Sequence, residues 1–282
     1  RNQIRGVIDV CSDAAVMLRL HLDAPRWWID AHPEQTVEYD GTEPSPEIET
    51  GLVRLVEADP RRPVRHSIAS TLWREDASNA LLRFCREIEG TAEGGALFAV
   101  QVASGVYGEW HYWGFMKWEP DVSAPMQTEL RRRLGEWYGD DSALRDAWND
   151  RSASIETARV PDTEDRRRTS HGVFRDPVDD RAVIDYYRCQ HELVADRIID
   201  FCSTVKRGFT KKILAGAFYG YYFSLFNRQA AGGHLALERV LAASEVDFLC
   251  APQVYYPDDQ APGEPYRSRS LLRSVTEHGK LW

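Results

Sequence analysis

The sequence has no paired-cysteine pattern. Its five cysteines, Cys11, Cys85, Cys189, Cys202 and Cys250, are odd in number and scattered. None belongs to a CxxC or a Cys/His cluster, so no metal site is visible and no disulfide framework is expected. Long apolar runs are also missing, and nothing approaches the roughly 18–20 residues that a membrane-spanning helix needs. Cations are in deficit, with 35 Lys and Arg against 44 Asp and Glu and a net charge of −9. That balance argues against nucleic acid or an anionic membrane as partner, because both reward clustered Lys and Arg. No GxGxxG follows a strand-like segment, and neither GxxxxGK[ST] nor a GxSxG elbow occurs. No cofactor is therefore expected. No signal-peptide pattern opens the sequence, and the compartment stays open, with the cytoplasm favoured.

What the chain does have is aromatic residues. Nine Trp and twelve Tyr in 282 residues exceed what one core requires. The surplus suits a carbohydrate cleft, and it is also compatible with a protein interface such as that of a homo-oligomer. The most informative stretch is residues 96–113, ALFAVQVASGVYGEWHYW. A strand-like apolar run breaks at Ser104-Gly105. It then presents one carboxylate, Glu109, inside a collar of Tyr107, Trp110, His111, Tyr112 and Trp113. Rings of this kind stack on sugar faces, and their low polarity raises a carboxyl pKa toward neutrality. The bland alternative is an ordinary loop carboxylate beside core aromatics.

Strand-like and helix-like segments alternate along the chain. Residues 4–11 have helical spacing. Residues 15–22 alternate as a strand, with Leu18, Leu20 and Leu22 on one face and Arg19, His21 and Asp23 on the other. Residues 64–68 read as a short strand, and a helix follows with Ala77, Leu81, Phe84 and Ile88 in line and Gly90 at its end. Strand 96–103 comes next, then an insertion at about 114–178 holding a helix with Met126, Leu130, Leu134 and Trp137 in line. Its Arg- and Asp-rich tail, 159–180, reads as a solvated excursion. Residues 181–206 carry a helical stripe of Ile184, Tyr187, His191, Val194, Ile198, Phe201 and Val205. His191 lies on that stripe and reads as a packing residue. Strand 213–219, helix 234–243 and strand 246–255 follow, and HGKLW reads as the opening of another strand.

Near-continuous apolar strands alternating with helices predict a parallel sheet covered on both faces. A single (β/α)8 TIM-barrel domain over residues 1–282 fits best, incomplete for want of its first and last strands. A doubly wound sheet is the alternative. In a barrel, function gathers at the carboxyl ends of the strands. Those ends supply Arg19, His21 and Asp23, followed by Trp27 and Trp28; Glu109, Trp110 and His111; Tyr219 and Tyr221; and Gln253 and Tyr255. The face holding Ala251, Gln253 and Tyr255 is expected to join Arg19, His21 and Asp23 on the barrel lumen.

Several segments, in order, resemble the family-42 β-galactosidases and their relatives among the retaining (β/α)8 glycosidases. LHLDAPRWW resembles that family's second-strand exit, and SIASTLWREDASNALLRF its third strand and helix. GVYGEW resembles the fourth-strand exit that carries the acid/base glutamate. LGEWYGDDSALRDAWND and AVIDYYRCQHELVADRI resemble the helices that follow. The resemblance covers roughly residues 15–282. It implies retaining hydrolysis of a galactoside-like β-glycoside. Glu109 would be the general acid/base, Arg19 would orient a carboxylate or hydroxyl, and a nucleophile carboxylate would lie just past Trp282. Two departures stand out. The family's usual Asn before the acid/base is Gly108 here, although β-amylases have a Gly-Glu at a similar place. The zinc-binding cysteines of some family members are absent from residues 111–125. A sugar-binding barrel without catalysis, or an inverting glycosidase using Asp23 or Asp258, are the alternative functions.

Overall fold

The computed structural model describes residues 1–40, 64–115, 118–169, 172, 174–223, 232–252 and 268–282. Helix α1 (Asn2–Val10) leads into β1 (Val16–His21), α2 (Arg26–Ala31) and the short β2 (Tyr39–Asp40). Then come α3 (Thr71–Glu89), α4 (Ala92–Ala96), β3 (Leu97–Ala103), β4 (Glu119–Pro120), α5 (Ala124–Tyr138), α6 (Asp141–Trp148) and α7 (Thr163–Arg167). The long α8 (Arg181–Gly208), β5 (Leu214–Phe218), α9 (Leu237–Ala242), β6 (Phe248–Cys250) and α10 (Leu272–Glu277) complete the order. Among the described residues, no helix is long and apolar enough to cross a membrane.

Four strands form one parallel sheet in the order β1-β3-β5-β6. Leu281 adds a parallel bridge to Phe248. Each next strand joins the same edge, as it does around a barrel wall. Helices α3 and α8 pack together beneath the sheet, and α8 also contacts β3 and β5. The buried face carries Val100, Val102, Ala215, Ala217 and Leu249. These small and branched residues let the helices approach closely.

The register reverses one expectation. Arg19 pairs with Gln101, Gln101 with Gly216, and Gly216 with Phe248. Registered partners in a parallel sheet share a face, and side chains alternate along each strand. Phe248 and Cys250 therefore stand on Arg19's face, while Ala251 follows Leu249 on the other. The period of two was legible in the sequence; which phase faces the lumen depends on the neighbouring strands. Gln253 and Tyr255 lie outside the described residues.

Residues 64–68 do not enter the parallel sheet, and β1 pairs directly with β3. His66 makes a single antiparallel bridge to Thr36 instead. The chain then turns at Ser70, whose hydroxyl caps α3 by accepting the Trp73 N–H at 3.0 Å. Gly90 ends that helix as expected, but with φ −78° rather than in the left-handed form.

The insertion is bound to the body more tightly than its composition suggests. Tyr138 Oη and Trp148 Nε1 both donate to Asp185 Oδ2, at 2.6 and 2.8 Å. Gln190 Nε2 donates to Pro120 O at 3.0 Å. This polar seam turns the first half of α8, so Asp185, Tyr186 and Gln190 are buried while Ile184 and Tyr187 are half-buried. The rest of the expected stripe, from His191 to Val205, is buried. The 159–180 tail is not wholly solvated. Arg166 is buried, with its guanidinium donating to Glu119 O and Pro120 O at 3.3 and 3.2 Å.

Candidate active site

Strand β3 delivers the chain to a tight loop. Trp110 N–H donates back to Ser104 O at 2.7 Å, and Val106 N–H donates to His111 O at 3.0 Å. Residues 105–110 thus close a small hairpin that presents Glu109. Four of its residues have positive φ: Gly105 at 77°, Tyr107 at 58°, Gly108 at 68° and Trp110 at 62°. For Tyr107 and Trp110 this backbone costs about 1–2 kcal/mol each. Such strain persists only where the surroundings over-determine it, and it concentrates at functional sites.

Asp23 anchors the loop from β1. Its Oδ1 accepts from Ser104 Oγ at 2.8 Å and from Gly105 N–H at 3.1 Å. Behind it, the Ala24 N–H donates to His66 Nδ1 at 3.3 Å, which leaves the Nε2–H facing Ser104 Oγ at 3.3 Å. A directed chain results, from His66 to Ser104 to Asp23. Arg19 completes the anchorage by donating to Tyr107 O, with its guanidinium 4.7 Å from the Phe218 ring centroid.

Glu109 sits in this frame with its side chain 15% exposed. Burial raises its carboxyl pKa, against Arg269, Arg19 and the Tyr221 hydroxyl, which pull it down. His111 Nε2 lies 4.0 Å from Glu109 Oε2. His234 Nε2–H donates to the Glu109 carbonyl at 2.7 Å, while its Nδ1 accepts from the Tyr221 N–H at 3.2 Å. His234 also stacks on His111 and Tyr219, with ring centroids 4.1 and 4.7 Å apart. Burial keeps the imidazoles neutral, lowering the His111 pKa to about 4, the His66 pKa to about 3, and that of His234 as well. Among the described residues, no three His, Cys, Asp or Glu side chains gather to hold a metal.

The structure divides the expected site residues. Arg19, His111 and Tyr221 converge on Glu109. His21 borders the loop, 3.4 Å from Asp23 through its Nδ1. Trp110 does not line a cavity. It is fully buried, donates to Val102 O at 3.0 Å and packs on Phe201. Its positive φ drives the ring back into the core. Tyr112 is likewise buried, donating to Gln190 O at 3.0 Å. Tyr219 is buried behind His234, donating to Gly233 O at 3.1 Å. The tryptophans after β1 belong to another surface. Trp28 is buried and donates to Asp76 at 2.8 Å, whereas Trp27 is 71% exposed. They line a groove of about 840 Å³ along β1 and α3, with His21, Asp23 and Trp73.

Sequence reasoning missed Arg269, His234, His66 and Ser104. His234 follows a glycine pair and Arg269 is one of several Arg and Ser residues far along the chain, and no local pattern marks either. Ser104 was visible as the strand breaker, but its bond to Asp23 was not.

Gly108 accounts for the missing asparagine. A Cβ there would stand 2.5 Å from His21 Cε1 and 2.9 Å from Arg19 Nη2. Any side chain is strained by the left-handed backbone there, Asn less than most, and it must also move the ends of His21 and Arg19, with Ala103 Cβ at 3.1 Å the least yielding neighbour. Gly108→Asn is expected to lower stability by about 1–3 kcal/mol and to displace Arg19 from Tyr107. A melting temperature equal to that of the parent would contradict this packing.

No protein-family model matches the chain, and no curated protein matches it. Solved structures do. A β-galactosidase from the psychrophilic Marinomonas ef1 superposes with a TM-score of 0.58 at 14% identity, over 87% of this chain and 32% of that one. A β-galactosidase from the Antarctic haloarchaeon Halorubrum lacusprofundi gives 0.59 at 14% identity, over 93% and 34%. The catalytic domain of a β-amylase from Paenibacillus polymyxa gives 0.56 at 14% identity, over 76% and 55%. The chain spans about a third of the length of these β-galactosidases. At such identity the likeness concerns the fold: the chain is an α/β protein with a parallel sheet, built like part of these TIM-barrel glycosidases.

Proposed function

We propose that the chain carries the acid/base half of a retaining glycoside hydrolase acting on a galactoside-like β-glycoside. The observation that carries this reading is Glu109 itself, a largely buried carboxyl with a raised pKa at the carboxyl end of a parallel strand. A carboxyl held in its acid form can protonate a glycosidic oxygen, then as carboxylate take a proton from water. Arg19, Arg269 and Tyr221 surround it with donors suited to sugar hydroxyls. A retaining site also needs a nucleophile carboxylate about 5–5.5 Å from the acid.

Asp23 is a poor water-activating base for an inverting mechanism, because its Oδ1 is already engaged by Ser104 and Gly105. Asp258 lies outside the described residues. Sugar binding without turnover is the second reading, favoured by Gly108 standing where the resembled glycosidases have an Asn before the acid/base.

The test is to incubate the complete protein with a panel of aryl β-glycosides and follow the first-formed sugar by NMR. A β-hemiacetal is expected. An α-hemiacetal would assign inversion, and saturable binding with no product would assign the second reading.

A further inference from the structure

The Glu109 carboxyl faces a histidine whose proton is already committed elsewhere. His111 Nδ1–H donates to Gly232 O at 3.1 Å. A neutral imidazole has one N–H, so Nε2 presents a lone pair. That atom lies 4.0 Å from Glu109 Oε2. The ring is held on several sides. Phe115 lies 4.8 Å away, Tyr221 meets it edge-on at 5.4 Å, and His234 stacks on it at 4.1 Å. His234 cannot supply the missing proton, because its Nε2–H goes to the Glu109 carbonyl and its Nδ1 accepts from Tyr221. Flipping the His111 ring would leave the buried Gly232 carbonyl without its donor, which is costly.

We propose that His111 is a positioning residue whose Nε2 lone pair keeps Glu109 in its acid form. An ionised carboxylate meets that lone pair unfavourably. A protonated carboxyl can give it a hydrogen bond after a small side-chain rotation. The groups facing Glu109 divide cleanly. Arg19 from β1, Arg269 from the segment before α10 and Tyr221 after β5 favour the carboxylate, while burial opposes them. His111 tips the balance toward the acid. Burial, with a smaller contribution from Arg269, keeps His111 itself neutral.

The inference rests on the reading of Glu109 as general acid. In that reaction the proton leaves Glu109 for the glycosidic oxygen as the C–O bond electrons pass to that oxygen. A proton from water then restores the acid. At the 4.0 Å separation of this structure no hydrogen bond joins the two groups, so the carboxyl proton can turn either to His111 or to the substrate.

The experiment is a carboxyl titration by NMR on the full chain labelled with 13Cδ-glutamate. The Glu109 resonance is identified by its loss in Glu109→Gln. Parent, His111→Phe and His111→Met are titrated under the same conditions. Both substitutions keep apolar bulk in the pocket and remove the nitrogen lone pair. The Glu109 midpoint is expected to fall in both by about one pH unit, a tenfold loss of proton affinity. A midpoint unchanged or raised in either folded variant would overturn the proposal, since burial alone would then set it. Should neither variant fold, 15N-histidine spectra of the parent decide. Nδ1–H with a bare Nε2 is required, and a proton on Nε2 overturns the idea. None of these readings needs turnover, so a chain that cleaves no glycoside can still show the shift, and an active one can lack it.

Discussion

Glu109→Gln is expected to lower turnover of a β-glycoside by about 10²–10⁴-fold, the usual contribution of a positioned general acid, without unfolding the protein. Glutamine has the shape of the neutral acid, and burial already favours that neutral form at this position. The substitution removes the transferable proton and leaves the volume. The hairpin should hold, because its anchors are backbone groups and the side chains of Asp23, Ser104 and Arg19. The loss should depend on the leaving group. An aryl glycoside with an acidic phenol departs without much proton assistance, so its turnover should fall least. Measuring kcat across a series of phenols tests this directly. Equal turnover of parent and variant on the poorest leaving group would remove Glu109 from the mechanism.

Acid should unfold this protein well before its carboxylates alone would. His66 and His111 are fully buried and neutral, with pKa values lowered to about 3 and about 4 from 6.5. In the unfolded chain each would bind a proton near 6.5, while the folded protein refuses it. The stability tied to that difference is intact above pH 6.5 and is lost as pH falls through the folded values. For His111 the loss by pH 4 is about 3 kcal/mol, and His66 and His234 add to it. Glu109 and Asp121 work the other way, because burial raises their carboxyl pKa values and protonation relieves them. Two partly compensated carboxyls do not outweigh three neutral imidazoles. The melting temperature is therefore expected to drop by about 10 °C between pH 7 and pH 4. A flat profile over that range would mean that these rings are protonated or hydrated in the folded state.

Much of the frame was legible because it is periodic. Alternation in residues 15–22, the apolar run of 96–103, the helical line of Ala77, Leu81, Phe84 and Ile88, and the helical stripe of residues 181–206 correspond to β1, β3, α3 and α8. Residues 64–68 show the limit of that reading. Five residues carry too short a pattern to distinguish a strand from an extended segment, and the partner strand went to β1 instead. The aromatic collar shows another limit. Composition placed five rings around Glu109, but the left-handed backbone at Trp110 sends that ring into the core.

The sequence by itself determined the α/β alternation, the breaking of β3 at Ser104-Gly105 and the placing of Glu109 beyond that break. These follow from interactions within a few residues, where periodicity and turn chemistry are decisive. Only the tertiary structure decided which groups surround the carboxyl. His234 reaches the Glu109 carbonyl from 125 residues away, and Asp23 reaches Ser104 across 81. Arg269 arrives from a segment with no local signature. Strand register and the packing of α8 choose these neighbours, and neither depends on any one short stretch of chain. The carboxylate's address was local; its proton affinity is a property of the fold.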